Sequence, residues 1–416
     1  MARNQRYLLE SRGNGLRTYC ILEMAKRPYN FGAGREFVMA LLAVVFLVTL
    51  PWVLDAGFRF VAALWAQRKR RVQLTPLRSL VVLVPSRAEG ERVRGTLESV
   101  LAARGEKNVT VFLLLDGPDP VSCSIAEEIG NIRILEKPSP GPSKAAVLRY
   151  AAEKLRSEIE ASDGVMVLDV GSRLTPGFFE SLAWPAGVSA FQTTLVGQGV
   201  GPGEAAGLSE RVAQGVWDLG RQGLGWSVRL RGTGTVFRPS TFLAVVPELV
   251  TQIEDTEASL LITARGERTA LLPLPAVVLD QKPSSLQEAI GQRARWLMGQ
   301  LQILRAHWRV LLRLLFRRPL EGLSWLTFLV SRPLSLTLPL RFLGGAAIAT
   351  LGMNLDAPGW AGWGALVAST ALIELGWLVV FHPKVVWPAI TLAFAWVRAI
   401  PRVFGARRRW YRGRGK

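Results

Sequence analysis

Thr110-Val111-Phe112-Leu113-Leu114-Leu115-Asp116 and Gly164-Val165-Met166-Val167-Leu168-Asp169 are short apolar runs that each close on an aspartate, the two acids 53 positions apart. Runs of this length, bounded by Gly, Pro and Asp, read as buried strands. Ser79 to Pro85, Asn131 to Glu136 and Val188 to Leu195 share the texture, and Glu89 to Ala103 and Ser143 to Arg156 carry helical spacing between them. Such alternation predicts an α/β domain with a mostly parallel sheet and helices on both faces. Ligands in these domains gather beyond the carboxyl ends of the strands, so Asp116 and Asp169 are expected near one another at that edge.

Composition sets the surroundings of this domain. The chain has 416 residues, 49% of them hydrophobic, and a mean hydropathy of +0.23, which is high for a soluble protein and implies a membrane part. The formal net charge is +19, and the stretch from Arg398 to Lys416 carries eight Arg or Lys and no acid. Apolar segments flank the basic runs and no nucleic-acid motif accompanies them, so anionic lipid is the expected partner and nucleic acid is not. Cys20 and Cys123 lack any disulfide or zinc spacing, and His307 and His382 are the only histidines. Chemistry must then rest on carboxylates, basic side chains and backbone.

Residues 1–36 form a basic leader without the features of a signal peptide. Residues 37–66 are the N-terminal membrane segment: Phe37 to Leu54 is free of charge, and Asp55 and Arg59 interrupt a second apolar piece that reads as a hairpin return or an interfacial helix. The α/β domain covers residues 77–283, an amphipathic interfacial part 284–320, a C-terminal membrane region 334–404 and a basic tail 405–416. Within the membrane region, Leu334 to Met353 bears Arg341 and Trp360 to Phe381 bears Glu374, two candidate spans whose charges can pair inside a bundle or line a polar path, while Arg341 can also snorkel to the surface. The loop Asn354 to Gly359 lacks Lys and Arg, which puts it outside and the tail inside. Val385 to Phe404 is expected to be interfacial or a third span.

A helical pattern runs from Ser284 to about Phe316, with Ile290, Leu297, Leu301 and Leu304 on one face and Gln292, Arg293 and Arg295 on others. Arg offers bidentate recognition of phosphate, and the adjacent Trp296 a flat surface for a sugar ring. An amphipathic helix with its arginines at lipid headgroups gives the same pattern.

Taken in order, these motifs resemble the membrane-bound family 2 inverting glycosyltransferases, relatives of cellulose and hyaluronan synthases, from about Val81 to Leu312. Val84-Pro85-Ser86-Arg87-Ala88-Glu89 stands at the first strand and nucleotide-base loop, and Asp116 where an aspartate meets the donor's base or ribose. Pro142-Ser143-Lys144-Ala145-Ala146-Val147-Leu148 resembles the stretch passing near the donor. Leu168-Asp169-Val170-Gly171-Ser172, then Leu174-Thr175-Pro176-Gly177-Phe178, resembles the metal-binding Asp-x-Asp segment. Gly232-Thr233-Gly234-Thr235-Val236-Phe237-Arg238 is similar to the acceptor-side glycine loop, Ile253-Glu254-Asp255-Thr256-Glu257 to the Thr-Glu-Asp motif, and Gln292, Arg295 and Trp296 complete the set.

The resemblance implies a GT-A (nucleotide-diphospho-sugar transferase) domain with interfacial and transmembrane helices. It implies an enzyme of the inner membrane, its catalytic domain cytoplasmic, that moves a sugar from a UDP- or GDP-sugar to a lipid-linked or polysaccharide acceptor, with possible partner subunits of a polysaccharide synthesis complex. By the same resemblance Asp255 is the catalytic base, Asp169 holds a divalent cation (Mg or Mn), and Asp116, Lys144, Gln292, Arg295 and Trp296 contact the donor or border the acceptor. Gly171 replaces the second metal-binding carboxylate, and Ser86-Arg87-Ala88 departs from the usual base loop. A catalytically decayed scaffold or regulatory subunit is the alternative. Singly, Asp116 before Gly117-Pro118 also reads as a turn opener, and Glu257 as an acid complementing a helix dipole.

Overall fold

The computed structural model describes residues 31–66, 73–331, 334–381, 394–395 and 397–403. The expected leader up to residue 30, the basic tail, most of the segment from Val385 to Phe404, Cys20 and His382 lie outside the described residues.

The chain opens with α1 (Phe31–Ala66) and continues through β1 (Leu74–Pro76), β2 (Ser79–Ser86), α2 (Val93–Ala102), β3 (Asn108–Asp116), α3 (Pro120–Ile129), β4 (Ile132–Lys137) and α4 (Lys144–Lys154). It goes on with β5 (Val165–Val167), β6 (Ser172–Leu174), β7 (Ala183–Pro185), β8 (Ala190–Thr193), β9 (Leu195–Gln198), α5 (Pro202–Val212), β10 (Thr235–Phe237) and α6 (Glu254–Ala264). The last elements are β11 (Thr269–Leu272), β12 (Val278–Gln281), α7 (Leu286–Arg317), α8 (Pro319–Ser331), α9 (Leu334–Asn354) and α10 (Pro358–Phe381).

The main sheet has seven strands in the order β11-β8-β10-β5-β2-β3-β4. Only β10 runs antiparallel to its neighbours β5 and β8. The near-continuous apolar runs follow from burial on both faces: Val82 and Val84 of β2, with Val111, Leu113 and Leu115 of β3, enter one core. Their alternates Val81, Leu83, Phe112 and Leu114 enter the other, against α4 and α6. Leu83 is fully buried, and truncating it to Ala costs about 2–5 kcal/mol. Asp119 accepts from Ser122 N and Pro120 fills the first helical position, which starts α3.

Two strands differ from expectation. The run ending at Asp169 leaves the ladder at Val167, because Ser172 N donates to Asp169 O at 3.0 Å and closes a turn there. The run Val188 to Leu195 divides: β8 stays in the main sheet, whereas β9 joins a separate three-stranded sheet of order β6-β12-β9.

Asp55 and Arg59 do not break α1, which runs on through Pro51 as one helix rather than a hairpin. Among the described residues one helix, Ala40–Ala66, is long and apolar enough to cross a membrane. The described residues up to Leu50 form a separate unit, and from Pro51 onward α1 belongs with the rest. Ala63 packs among Val212, Ala213, Val216 and Trp217, and the Arg59 guanidinium lies 5.2 Å from the Trp217 ring. Of the alternatives for Arg341 of α9 and Glu374 of α10, the structure has the pair. Arg59 lies 3.4 Å from the other oxygen of Glu374 and pairs with Asp55, giving a buried quartet of two acids and two bases. The hairpin of α9 and α10 packs backbone to backbone at Gly345, Gly352 and Gly364, where a methyl group would meet the facing helix within 2.6 Å.

The long helix also departs from its expected face. Ser285 caps α7 by accepting from Glu288 N, and the helix kinks at His307 (φ −118°, ψ 22°). Its buried side chains include Ile290, Arg293, Ala294, Gln300 and Ile303, and beyond the kink Leu311 and Leu314, while Leu301 is exposed. Ile290 and Ala294 pack on Ala395 and Ala399, and Ile303 joins Ile253, Leu260 and Trp325. Tertiary packing of two unlike neighbours thus rotates the buried stripe along the helix.

Candidate active site

Strand polarity assembles the site. β5 delivers Asp169 just beyond its carboxyl end, and antiparallel β10 begins at the same edge, so the preceding loop Gly232-Thr233-Gly234 lies beside Asp169. Gly234 N donates to Val167 O at 2.9 Å, and Asp169 N donates to Thr233 Oγ1 at 3.1 Å. Gly232 has φ +82°, a left-handed conformation that disfavours side chains. A methyl group there would sit 3.5 Å from Asp255 Oδ2, 3.6 Å from Lys144 Nζ and 3.7 Å from Asp169 Oδ2. Three expected functional residues therefore converge on one point, from the start of α4, the end of β5 and the first turn of α6.

Lys144 bridges the group: its Nζ lies 2.5 Å from Asp169 Oδ1 and 2.9 Å from Glu254 Oε1. The lysine and Glu254 side chains are each 13% exposed, whereas Asp169 is 43% exposed and forms the open side. Burial acts to neutralise the ammonium, but Asp169 and Glu254 outweigh it and raise its pKa above the ordinary lysine range. Asp255 is pushed up to about 7, first by burial and then by repulsion from Glu254, against the Thr256 N–H and Lys144. Leu148, Val167, Phe237 and Phe242 line an apolar cavity behind it.

The other expected residues divide. Asp116 is buried at the same sheet edge, but β2 intervenes between β3 and β5, so it stands roughly 10 Å along from Asp169 rather than beside it. Its Oδ1 accepts from Gly141 N at 2.8 Å and lies 3.7 Å from Lys137 Nζ, and its Oδ2 lies 3.5 Å from Arg87 Nη1. It is not the turn opener; Asp119 takes that task. Gln292, Arg295 and Trp296 are half-buried on α7. Trp296 packs in the cluster of Ile253 and Leu260, so the helix abuts the residue two before Asp255. Gly299 faces Ile253 with no room for a methyl. The deeply buried arginine of the motif is Arg293, which donates to Gln292 Oε1 at 2.5 Å and stacks 4.4 Å from Trp296. Burial lowers it to about 10, against the attraction of Glu210.

Glu257 exceeds its expected role as a dipole complement. Fully buried, it accepts from Val250 N and Thr251 N and lies 2.6 Å from His307 Nε2.

A charge network beside the cradle carries no sequence motif. Glu210 on α5 contacts Lys282 at 2.6 Å and Arg231 at 3.0 Å; Lys282 also reaches Asp280 at 2.6 Å, and Arg231 pairs with Asp218. Burial works against the Glu210 charge, but Lys282 and Arg231 prevail and hold it at about 2. Arg231 immediately precedes Gly232, the one adjacency by which the sequence could have suggested it.

The donor set suits a hard cation. Asp169 presents carboxylate oxygen at the open side, the ligand type that Mg or Mn takes together with phosphate oxygens and water. Among the described residues no three His, Cys, Asp or Glu side chains group as a metal cage, so phosphates would have to supply the remaining ligands.

Residues 164–397 match the model of glycosyl transferase family group 2. No curated protein matches the chain. Among solved structures, a mannosyltransferase from Pyrobaculum calidifontis in complex with GDP-Man and Mn2+ is similar over 86% of this chain and 97% of its own, at 13% identity and a TM-score of 0.52. A glucosyl-3-phosphoglycerate synthase from Mycobacterium tuberculosis, in complex with Mn2+, UDP and phosphoglyceric acid, aligns over 47% of this chain and 68% of its own, at 16% identity and a TM-score of 0.32.

Proposed function

The chain belongs to glycosyl transferase family group 2, and from that premise we propose that it is an inverting transferase of the membrane surface. On this reading it passes a sugar from a nucleoside diphosphate donor to a lipid-linked or polysaccharide acceptor. The observation that carries the reading is the convergence of Asp255, Lys144 and Asp169 on Gly232.

An acceptor hydroxyl over Gly232 attacks the anomeric carbon as the bond from that carbon to the diphosphate oxygen breaks, inverting the centre. Asp255 takes the hydroxyl proton, and a carboxylate titrating at about 7 suits that task near neutral pH. Lys144 meets the negative charge that gathers on the departing diphosphate. Asp169 would hold a divalent cation, which would supply further neutralisation of the diphosphate. Asp116, with Arg87 and Lys137 beside it, serves the nucleoside end of the donor. Gln292, Arg295 and Trp296 border the diphosphate and the acceptor.

Membrane apposition has its own support. Beyond the kink, Trp308, Leu312 and Phe316 are exposed, and Arg305, Arg309, Arg313 and Arg317 form an exposed stripe at four-residue spacing beside them. An apolar strip flanked by guanidinium groups suits the headgroup level of a leaflet. On this reading the catalytic domain is cytoplasmic at the inner membrane, and the acceptor reaches it from that surface.

The reading is tested by screening UDP- and GDP-sugars with purified full-length protein in lipid nanodiscs and membrane-extracted acceptor. Transfer from at least one donor, abolished in Asp255→Asn, is the expected result. Equal activity of Asp255→Asn removes Asp255 as the base.

A further inference from the structure

We propose that Lys144 competes with a divalent cation for the Asp169 carboxylate and yields it only when a nucleoside diphosphate arrives, so that metal binds with the donor and not before. This rests on the reading of Asp169 as the cation residue.

Three features of the geometry lead here. Asp169 is the one carboxylate of its turn, since residue 171 is glycine at φ +92°. The Oδ1 of that carboxylate is already in contact with Lys144 Nζ at 2.5 Å. The ammonium is also fixed at 2.9 Å to Glu254, so it stays in the cluster after it leaves Asp169.

A divalent ion bonds carboxylate oxygen at about 2.0–2.1 Å, so whether it takes Oδ1, already in contact with the ammonium, or Oδ2 of the same group, it lies close to that ammonium. Two like charges at such a distance repel strongly in a partly buried site. A cation alone therefore meets one carboxylate already neutralised by a lysine. A diphosphate changes the balance, because its oxygens ligate the metal and give the displaced ammonium a new anionic partner. Glycine at position 171 then has a consequence beyond a missing ligand: a second carboxylate would hold the metal without the donor, and its absence makes the two bind together. The coupling is reciprocal, so metal also tightens the nucleotide.

The test is Mn2+ binding, read by electron paramagnetic resonance on full-length protein in detergent, with UDP or GDP absent or saturating and free Mn–nucleotide subtracted. Wild type is expected to bind Mn2+ at least tenfold more tightly with the diphosphate than without. Lys144→Gln is expected to bind Mn2+ without nucleotide at least tenfold more tightly than wild type, and to gain less from the nucleotide. Lys144→Arg keeps the charge and a folded cluster, and is expected to stay as weak as wild type without nucleotide. The proposal is overturned if Lys144→Gln binds no more tightly than wild type, if Lys144→Arg tightens equally, or if no protein binds Mn2+. Asp169→Asn separates the two levels. If it leaves Mn2+ affinity unchanged in the wild-type and Lys144→Gln backgrounds alike, the assignment of Asp169 has failed, and the proposal with it. If it abolishes binding while Lys144→Gln has no effect, only the role of Lys144 has failed.

Discussion

His307 Nε2 lies 2.6 Å from Glu257 Oε1, joining the kink of the long helix to the helix whose first turn carries Asp255. Glu257 also accepts from Val250 N and Thr251 N, so one buried carboxylate fixes the loop leading into the catalytic turn. Glu257→Ala should cost about 3 kcal/mol, the penalty for orphaning buried donors, whereas Glu257→Gln, which keeps an acceptor oxygen, should cost less. Thermal unfolding of the two variants checks the order.

Asp255 sets the pH dependence. A base titrating at about 7 must be ionised to act, so kcat/KM should fall about tenfold per unit below pH 7 and level off above it. Stability runs the other way. The folded pKa lies above the ordinary value of 3.8, so the stabilisation is full below about 4 and is lost as pH rises through 7. Asp255→Asn should therefore be inactive yet unfold at a higher temperature than wild type at pH 8, with the gap closing toward pH 4.

Gly171→Asp should not create a stronger enzyme merely by adding a carboxylate. The backbone there has φ +92°, and the residue's N–H donates to Thr96 Oγ1 at 2.9 Å. A side chain in the left-handed region costs roughly 1–2 kcal/mol, paid from the turn that positions Asp169. Lower melting temperature together with reduced transfer is the expected pair of readouts.

The charge quartet should be fragile one member at a time. Glu374→Ala leaves Arg341 and Arg59 facing each other without the shared acid, a loss of about 3–5 kcal/mol. Joint replacement of Glu374 and Arg341 by Leu and Met should be milder than Glu374→Ala. Unfolding midpoints in detergent decide between the two.

The arginine stripe should make activity respond to lipid charge. Each basic residue near an anionic surface contributes about 1 kcal/mol, so Gln at Arg305, Arg309 and Arg313 together should flatten a several-fold stimulation by phosphatidylserine. Transfer in anionic and zwitterionic vesicles measures it.

Alternating strands and helices, with Asp116 closing one strand and Asp169 just beyond another, were legible in the chain itself, because apolar periodicity and turn residues act over a few positions, whereas the order of motifs from Val84 to Trp296 was legible only through resemblance to a family. For Arg341 and Glu374 the two charges in otherwise apolar runs left pairing, a polar path or snorkelling of the arginine open, and packing of the two helices chose the pair. Folding alone decided the rest. The reversed direction of β10 brought Gly232 to Asp169, and the position of β2 set Asp116 apart from it. Packing against two unlike neighbours buried Arg293 and exposed Leu301 on a helix whose periodicity suggested otherwise. The contacts of Lys144 with Asp169 and Glu254 span 25 and 110 positions, and distances of that kind are fixed by strand order and helix packing rather than by local spacing.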